Sequence, residues 1–197
     1  RTGVNFGIDH WGVTPDLMAT GKGLSSGYTP IAATIARDEI YEAIYESSPS
    51  FVHGHTYGGN PLSSATALAV QNYIEKHDLI TRCADMGDIM LERLASLNDL
   101  PMVSEVRGKG LLNGIEFSED KETRSPLDPA LGVTGRVVKK AFEKGVLVMP
   151  GAPGPIDGVH GDHVAISPPF TITEDEIDHI IAVLKISIEE VAQDIRV

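Results

Sequence analysis

The chain has 197 residues, 42% of them hydrophobic, and a formal net charge of −12, which suffices for one domain, or for a large domain piece and a smaller second one. Such acidity argues against a nucleic-acid or anionic-membrane surface, because either needs a basic patch to neutralise phosphates. A single cysteine, Cys83, excludes an internal disulfide and suits a reducing compartment, and no apolar run reaches bilayer-spanning length, so a soluble, cytoplasmic protein without nucleic-acid or membrane partners is expected.

Residues 4–15 carry Phe6, Ile8, His10 and Trp11 among turn residues and read as a loop or short helix. A strand at 17–20 then delivers Lys22 between Gly21 and Gly23, and the apolar run 31–36 reads as a second strand of a buried sheet. Asp38 stands where it can cap a helix with the face Ile40, Tyr41, Ile44 and Tyr45, ending near Pro49. Asn60 and Pro61 form a helix start, N-cap and first helical position. The helix that follows, 62–77, is apolar almost all round, which predicts burial on several faces by the core or by a partner subunit, with a dimer contact near its start. A more ordinary helix over 78–98 puts Leu79, Cys83, Met90, Leu94 and Leu97 on one stripe, and Pro101 marks a break.

Beyond Met102 short strands and helices alternate. Strands are expected at 103–106 and 111–117 around the Gly108-Lys109-Gly110 turn. A helix over 134–144 turns Val137, Val138, Ala141 and Phe142 inward and stops at Gly145; Lys139, Lys140 and Lys144 read as its solvated last turns. A strand at 146–149, a Gly/Pro-rich loop at 150–161 placed to reach toward an active site, and a strand at 164–166 come next. Thr173 and Glu176 have capping-box spacing ahead of the stripe Ile177, Ile180, Ile181, Leu184, Ile188 and Val191.

The chemistry centres on Lys22. A lysine that attacks carbonyls must have a neutral amine, favoured by desolvation, and the apolar lead-in 17–19 offers that; flanking glycines let a flat cofactor approach closely. The alternative is a strand end carrying a solvated lysine. A phosphate-binding P-loop is excluded by spacing, since Asp16 and Gly23 stand where that motif needs Gly and Ser or Thr. The helix start after Thr56 and Tyr57 presents unpaired amides that suit a phosphate; the alternative is that Thr56 is only a turn residue before a capped helix. His53 and His55 could share a metal, but nothing nearby supplies further ligands, and His160, Asp162 and His163 stand no better; no metal site is expected.

Taken with Gly3, His10-Trp11-Gly12-Val13-Thr14-Pro15-Asp16 and Ser167-Pro168-Pro169-Phe170, these segments resemble, over nearly the whole chain, the class III aminotransferases, which use pyridoxal 5'-phosphate. The resemblance implies that Lys22 holds the cofactor as a Schiff base and shuttles the proton. It implies that Thr56, with the Tyr57 amide, reaches the cofactor phosphate from the neighbouring subunit of a homodimer. The substrates would be an amine or amino-acid donor and a keto-acid acceptor. The implied fold is α/β: residues 1–98 as the C-terminal part of a large, mostly parallel-sheet domain, and 99–197 as a small α+β domain. Starting at Arg1, the chain reads as the C-terminal half of such an enzyme, with the phosphate cup, the ring-stacking aromatic and the aspartate at the ring nitrogen expected upstream, and is expected to be inactive alone. Many relatives bind a substrate carboxylate through an arginine shortly before the Pro-Pro pair; this chain has none there, and Arg107 could serve a carboxylate or only a structural acid. An aminomutase or decarboxylase would use the same lysine, and a non-catalytic chain acting in packing and dimer assembly is the competing class.

Overall fold

Nearly every expected strand and helix has a counterpart in the computed structural model, which describes residues 1–48 and 50–195; Pro49, where the sequence ends its first helix, lies outside the described residues. Packing divides the chain into two compact units, Ile8–Leu79 and Arg1–Gly7 with Ile80–Val197.

In the first unit, a 3-10 turn at Gly7–Trp11 precedes strand β1 (Leu17–Thr20), which pairs with β2 (Ala33–Ala36), Leu17 opposite Ala36 and Thr20 opposite Ala33. This pair is antiparallel; the parallel pairing expected of the region is not made between these two strands. Helix α1 (Asp38–Ser47) takes Arg37 rather than Asp38 as its N-cap, because Asp38 already has helical geometry and adds charge to the first turn; Arg37 reaches back to Asp16 at 2.9 Å. Helix α2 (Pro61–Lys76) starts as the sequence dictates, with Asn60 Oδ1 accepting the Ser63 amide at 3.0 Å. Of the described residues in this unit only Ser25, Ala67 and Leu79 are buried. The expected burial of α2 on several faces is therefore not supplied by this chain: Leu62 and Leu68 stay 76% and 62% exposed.

The second unit has a core of its own. Strands β3 (Val103–Lys109), β4 (Leu112–Phe117), β5 (Met149–Pro150) and β6 (Asp162–Ile166) form an antiparallel sheet in the order β3-β4-β6-β5. One face, with Val103, Ile115, Phe117, Val164 and Ile166, packs into a cluster with residues of helices α3 (Leu79–Leu94), α4 (Val133–Glu143) and α5 (Glu174–Ile195). Cys83, Met86, Met90 and Leu94 of α3 are buried in that cluster, so by packing α3 goes with the sheet. Arg1–Gly7 joins the same unit: the Arg1 carbonyl accepts the Leu111 amide at 3.0 Å and the Cys83 thiol at 2.8 Å. The approach is close enough that a Cβ on Gly110, already at φ +53, would sit 2.6 Å from the Thr2 carbonyl carbon.

Three local expectations change. Phe142 points outward, 64% exposed, because the inward stripe of α4 is Val133, Val137 and Ala141. The strand expected over 146–149 pairs only at Met149 and Pro150, where β6 offers Ala165 and Val164. Lys140 and Lys144 are not merely solvated: Lys144 bonds Glu190 at 2.9 Å, and Lys140 lies 3.3 Å from Glu190 and 3.2 Å from Asp194, tying α4 to α5. At the start of α5 the capping box forms, Glu176 amide to Thr173 Oγ1 at 3.3 Å and Thr173 amide to Glu176 Oε2 at 2.8 Å.

The Lys144 hydrogen bond, opposed by desolvation and helped by Lys140, holds the Glu190 carboxyl below its ordinary 4.5. A depressed carboxylate contributes stability above its unfolded pKa, and that contribution disappears as pH falls through the folded one. Glu190→Gln is expected to lower the melting temperature at pH 7, with the difference from the parent chain shrinking as pH falls below the ordinary 4.5. Melting curves from pH 3 to 8 check this; a difference that did not change with pH would contradict the ion pair.

Candidate active site

Lys22 leaves β1 on a single 3-10 turn, Lys22–Leu24, after an extended Gly21. Its own φ is +45, in the left-handed region that costs a side-chain-bearing residue roughly 1–2 kcal/mol. Several bonds hold the backbone there. The Leu24 amide donates to the Gly21 carbonyl at 3.0 Å, and the Ser25 amide to that of Lys22 at 3.4 Å. Ser25, 2% exposed, donates through its hydroxyl to the Thr29 carbonyl at 2.7 Å. Two further anchors, absent from the sequence reading, come from α2. Gln71 Nε2 donates to the carbonyls of Gly23 and Leu24 at 3.3 and 3.0 Å, and the hydroxyls of Thr29 and Ser63 lie 2.8 Å apart. The lysine side chain is exposed and makes no hydrogen bond or ion pair with the described residues. The desolvation expected from the apolar lead-in is not provided by this chain, because Leu17 of β1 and Ile35 of β2 are themselves exposed.

Residues 55–60 make two successive turns into α2: the Gly58 amide donates to the His55 carbonyl at 2.9 Å and the Asn60 amide to that of Tyr57 at 3.1 Å. Gly59, at φ +66, permits the second. Thr56 and Tyr57 are exposed, and neither the Thr56 hydroxyl nor the Tyr57 amide is engaged by another described residue. An uncommitted hydroxyl and amide just ahead of a helix N-terminus suit a phosphate, and an exposed primary amine on a fixed turn suits an aldehyde. The residues present therefore fit pyridoxal phosphate, though no hydrogen bond joins Lys22 to Thr56 or Tyr57; what they share is helix α2.

A family model described as aminotransferase class-III matches residues 1–188. The chain belongs to the class III aminotransferase family. An uncharacterised aminotransferase of Bacillus subtilis, YodT, is 38% identical across the whole chain, which spans 44% of that relative. The adenosylmethionine-8-amino-7-oxononanoate aminotransferase of Geobacter sulfurreducens is 36% identical over 97% of the chain and 41% of its own length. Among solved structures, a transaminase from the marine bacterium Virgibacillus superposes with a TM-score of 0.92 at 32% identity, over 99% of this chain and 43% of that one. An amine transaminase from an uncultivated Pseudomonas species, solved in the PLP-bound internal aldimine form, superposes with a TM-score of 0.86 at 38% identity, over 96% of this chain and 42% of that one. The fold is thus the α/β fold of transaminases, and the chain spans less than half the length of these relatives.

In this class III chain Arg107 serves structural acids: its guanidinium bonds Glu116 at 2.5 Å and Glu105 at 2.9 Å, and the Glu116 bond strengthens its charged form. His53 packs edge-on between Phe51 and His55. Asp162 accepts the amide and hydroxyl of Thr134 at the start of α4, and the His163 ring lies so close over Gly151 that a Cβ there would meet it at 2.2 Å. Among the described residues no group of three His, Cys, Asp or Glu gathers as a metal centre would require, and no helix is long and apolar enough to cross a membrane. The 150–161 loop carries no arginine or lysine, and His160 is taken by Asp157, whose Oδ2 lies 2.7 Å from His160 Nδ1 while Oδ1 accepts the Val159 and His160 amides at 3.0 and 2.8 Å.

Those bonds, led by the His160 amide, lower the Asp157 carboxyl from 3.8 to about 2. The loop staple should therefore be complete above pH 3.8 and open only as pH falls toward 2. Carbon-detected NMR titration of the Asp157 carboxyl is expected to give a midpoint near 2; a midpoint at 3.8 or above would show that the staple does not form.

Proposed function

We propose that the chain works within a pyridoxal-phosphate-dependent class III aminotransferase that moves an amino group between an amine or omega-amino acid and an alpha-keto acid. The observation that carries this reading is the uncommitted Lys22 amine on its fixed left-handed turn. The relatives named above as amine and 8-amino-7-oxononanoate aminotransferases, a gamma-aminobutyrate transaminase of tomato, 34% identical, and an omega-transaminase of Thermomicrobium roseum, 31% identical, support the donor class.

Bound, pyridoxal phosphate supplies an aldehyde for amines to condense with and a ring that takes up carbanion charge. Lys22 Nζ is the group that would hold the aldehyde carbon and, once released by the incoming amine, the base that would take the proton from the substrate's amine-bearing carbon and hand it to the former aldehyde carbon. Thr56 Oγ1 and the Tyr57 amide would bind the phosphate, reaching it from the partner subunit of a homodimer. In the same reading 1–98 is the C-terminal part of the large domain, 99–197 the small domain, and the enzyme is cytoplasmic.

A second reading applies to the chain by itself: packing and assembly without turnover. Its support is the first unit, where Val52, Tyr57, Tyr28, Leu62 and Trp11 stand exposed, an excess of apolar surface that marks an interaction face.

The purified 197-residue chain is expected to turn over no amine donor, while in an active homodimer Lys22→Ala lowers kcat by about 10²–10⁴-fold. Thr56→Ala is expected to weaken cofactor affinity about tenfold with a smaller loss of kcat at saturating cofactor. Steady-state kinetics with added pyridoxal phosphate check both; a Lys22→Ala enzyme with parental kcat would overturn the assignment.

A further inference from the structure

We infer that Gln71 is a positioning residue for Lys22: from the middle of α2 its carboxamide holds the turn that aims the lysine amine, with Ser63 as the second anchor. The inference rests on the reading of Lys22 as the cofactor lysine and assigns that lysine its support.

The turn needs support from outside. A residue with a side chain does not hold the left-handed region unaided, and a lone 3-10 turn has poor hydrogen-bond geometry. Two of the bonds within it, Ser25 amide to Lys22 carbonyl and Ser26 amide to Gly23 carbonyl, are 3.4 Å long, at the weak end of the range. Gln71 acts on the carbonyls that follow the lysine. A carboxamide nitrogen has two hydrogens, so one atom can donate to both Gly23 and Leu24, at 3.3 and 3.0 Å.

The other end of the loop is held in the same way. Ser25 bonds the Thr29 carbonyl, and the Thr29 hydroxyl meets Ser63. Ser63 and Gln71 are eight residues apart on α2, about 12 Å along the axis, so the helix grips residues 22–29 at two separate points. Gln71 follows Leu68, Ala69 and Val70 on this helix, and the turn carbonyls are the only hydrogen-bond partners of its side chain among the described residues. A surface glutamine without a role would leave the lysine turn unchanged when replaced.

Gln71→Glu removes both donors while keeping size, and Gln71→Met keeps shape without any polar atom. In the full chain both are expected to retain the parental melting temperature within a few degrees and the exchange protection of α2 itself. Amide hydrogen exchange at Leu24 and Ser25 should speed up several-fold. Borohydride trapping of added pyridoxal phosphate at Lys22, measured against Lys139 as internal standard, should slow about three- to tenfold, the effect of losing one or two neutral hydrogen bonds. Unchanged exchange over 22–26 together with unchanged trapping in either variant overturns the inference. A parent chain that traps no cofactor at Lys22 defeats the functional reading instead, and the exchange arm then decides by itself whether Gln71 holds the turn. Should both variants lose global protection, Thr29→Val, which removes only the Ser63 link, is expected to loosen the same amides, and failure to do so counts against the anchoring by α2.

Discussion

A lysine in the left-handed region of backbone space is the constraint on which the site depends. The conformation is unfavourable for any residue with a Cβ and persists only where its surroundings fix it more tightly than the turn itself can. The fixing comes in layers: β1 paired to β2 brings the chain in, Gly21 lies extended before the turn, buried Ser25 closes it onto Thr29, and α2 holds it through Ser63 and Gln71. The same helix is capped by Asn60 immediately after the Thr56–Tyr57 turn. One helix thus both anchors the Lys22 turn and follows directly on the Thr56–Tyr57 turn.

The two units solve the folding problem differently. The second buries helices α3, α4 and α5 against one face of a four-stranded sheet and stitches α4 to α5 with lysine-carboxylate pairs. The first buries almost nothing and leaves Leu62, Leu68 and a series of aromatics in water. Apolar side chains at that density stabilise a fold only when something covers them. In the proposed enzyme a partner subunit and further chain would cover them; the relative YodT runs to more than twice this length.

What could be read from the sequence was local. Asn60-Pro61 and Thr173 with Glu176 declare helix starts because their partners lie within three residues, and the stripe of α5 declares its buried face. Lys22 was legible as a lysine between glycines after a short strand, and the downstream segments lent it a family. Hidden were the features decided by packing. Phe142 turns out because neighbouring valines take the inward side of α4, and residues 146–148 make no strand pairing, the Val146 amide going instead to the Ala141 carbonyl at the end of that helix. Helix α3 packs with the sheet because Met86, Met90 and Leu94 find their contacts there. Gln71 had no sequence signal at all: its bond spans 48 residues to a backbone carbonyl, and such a bond leaves no pattern in side-chain type.

The proposed role of Lys22 as the cofactor lysine is tested by treating the chain with pyridoxal phosphate, reducing with borohydride and mapping the modified peptides. A pyridoxyl adduct is expected to concentrate at Lys22, above the level at exposed surface lysines such as Lys139. Adduct spread evenly over the surface lysines, or absent from Lys22, would contradict it.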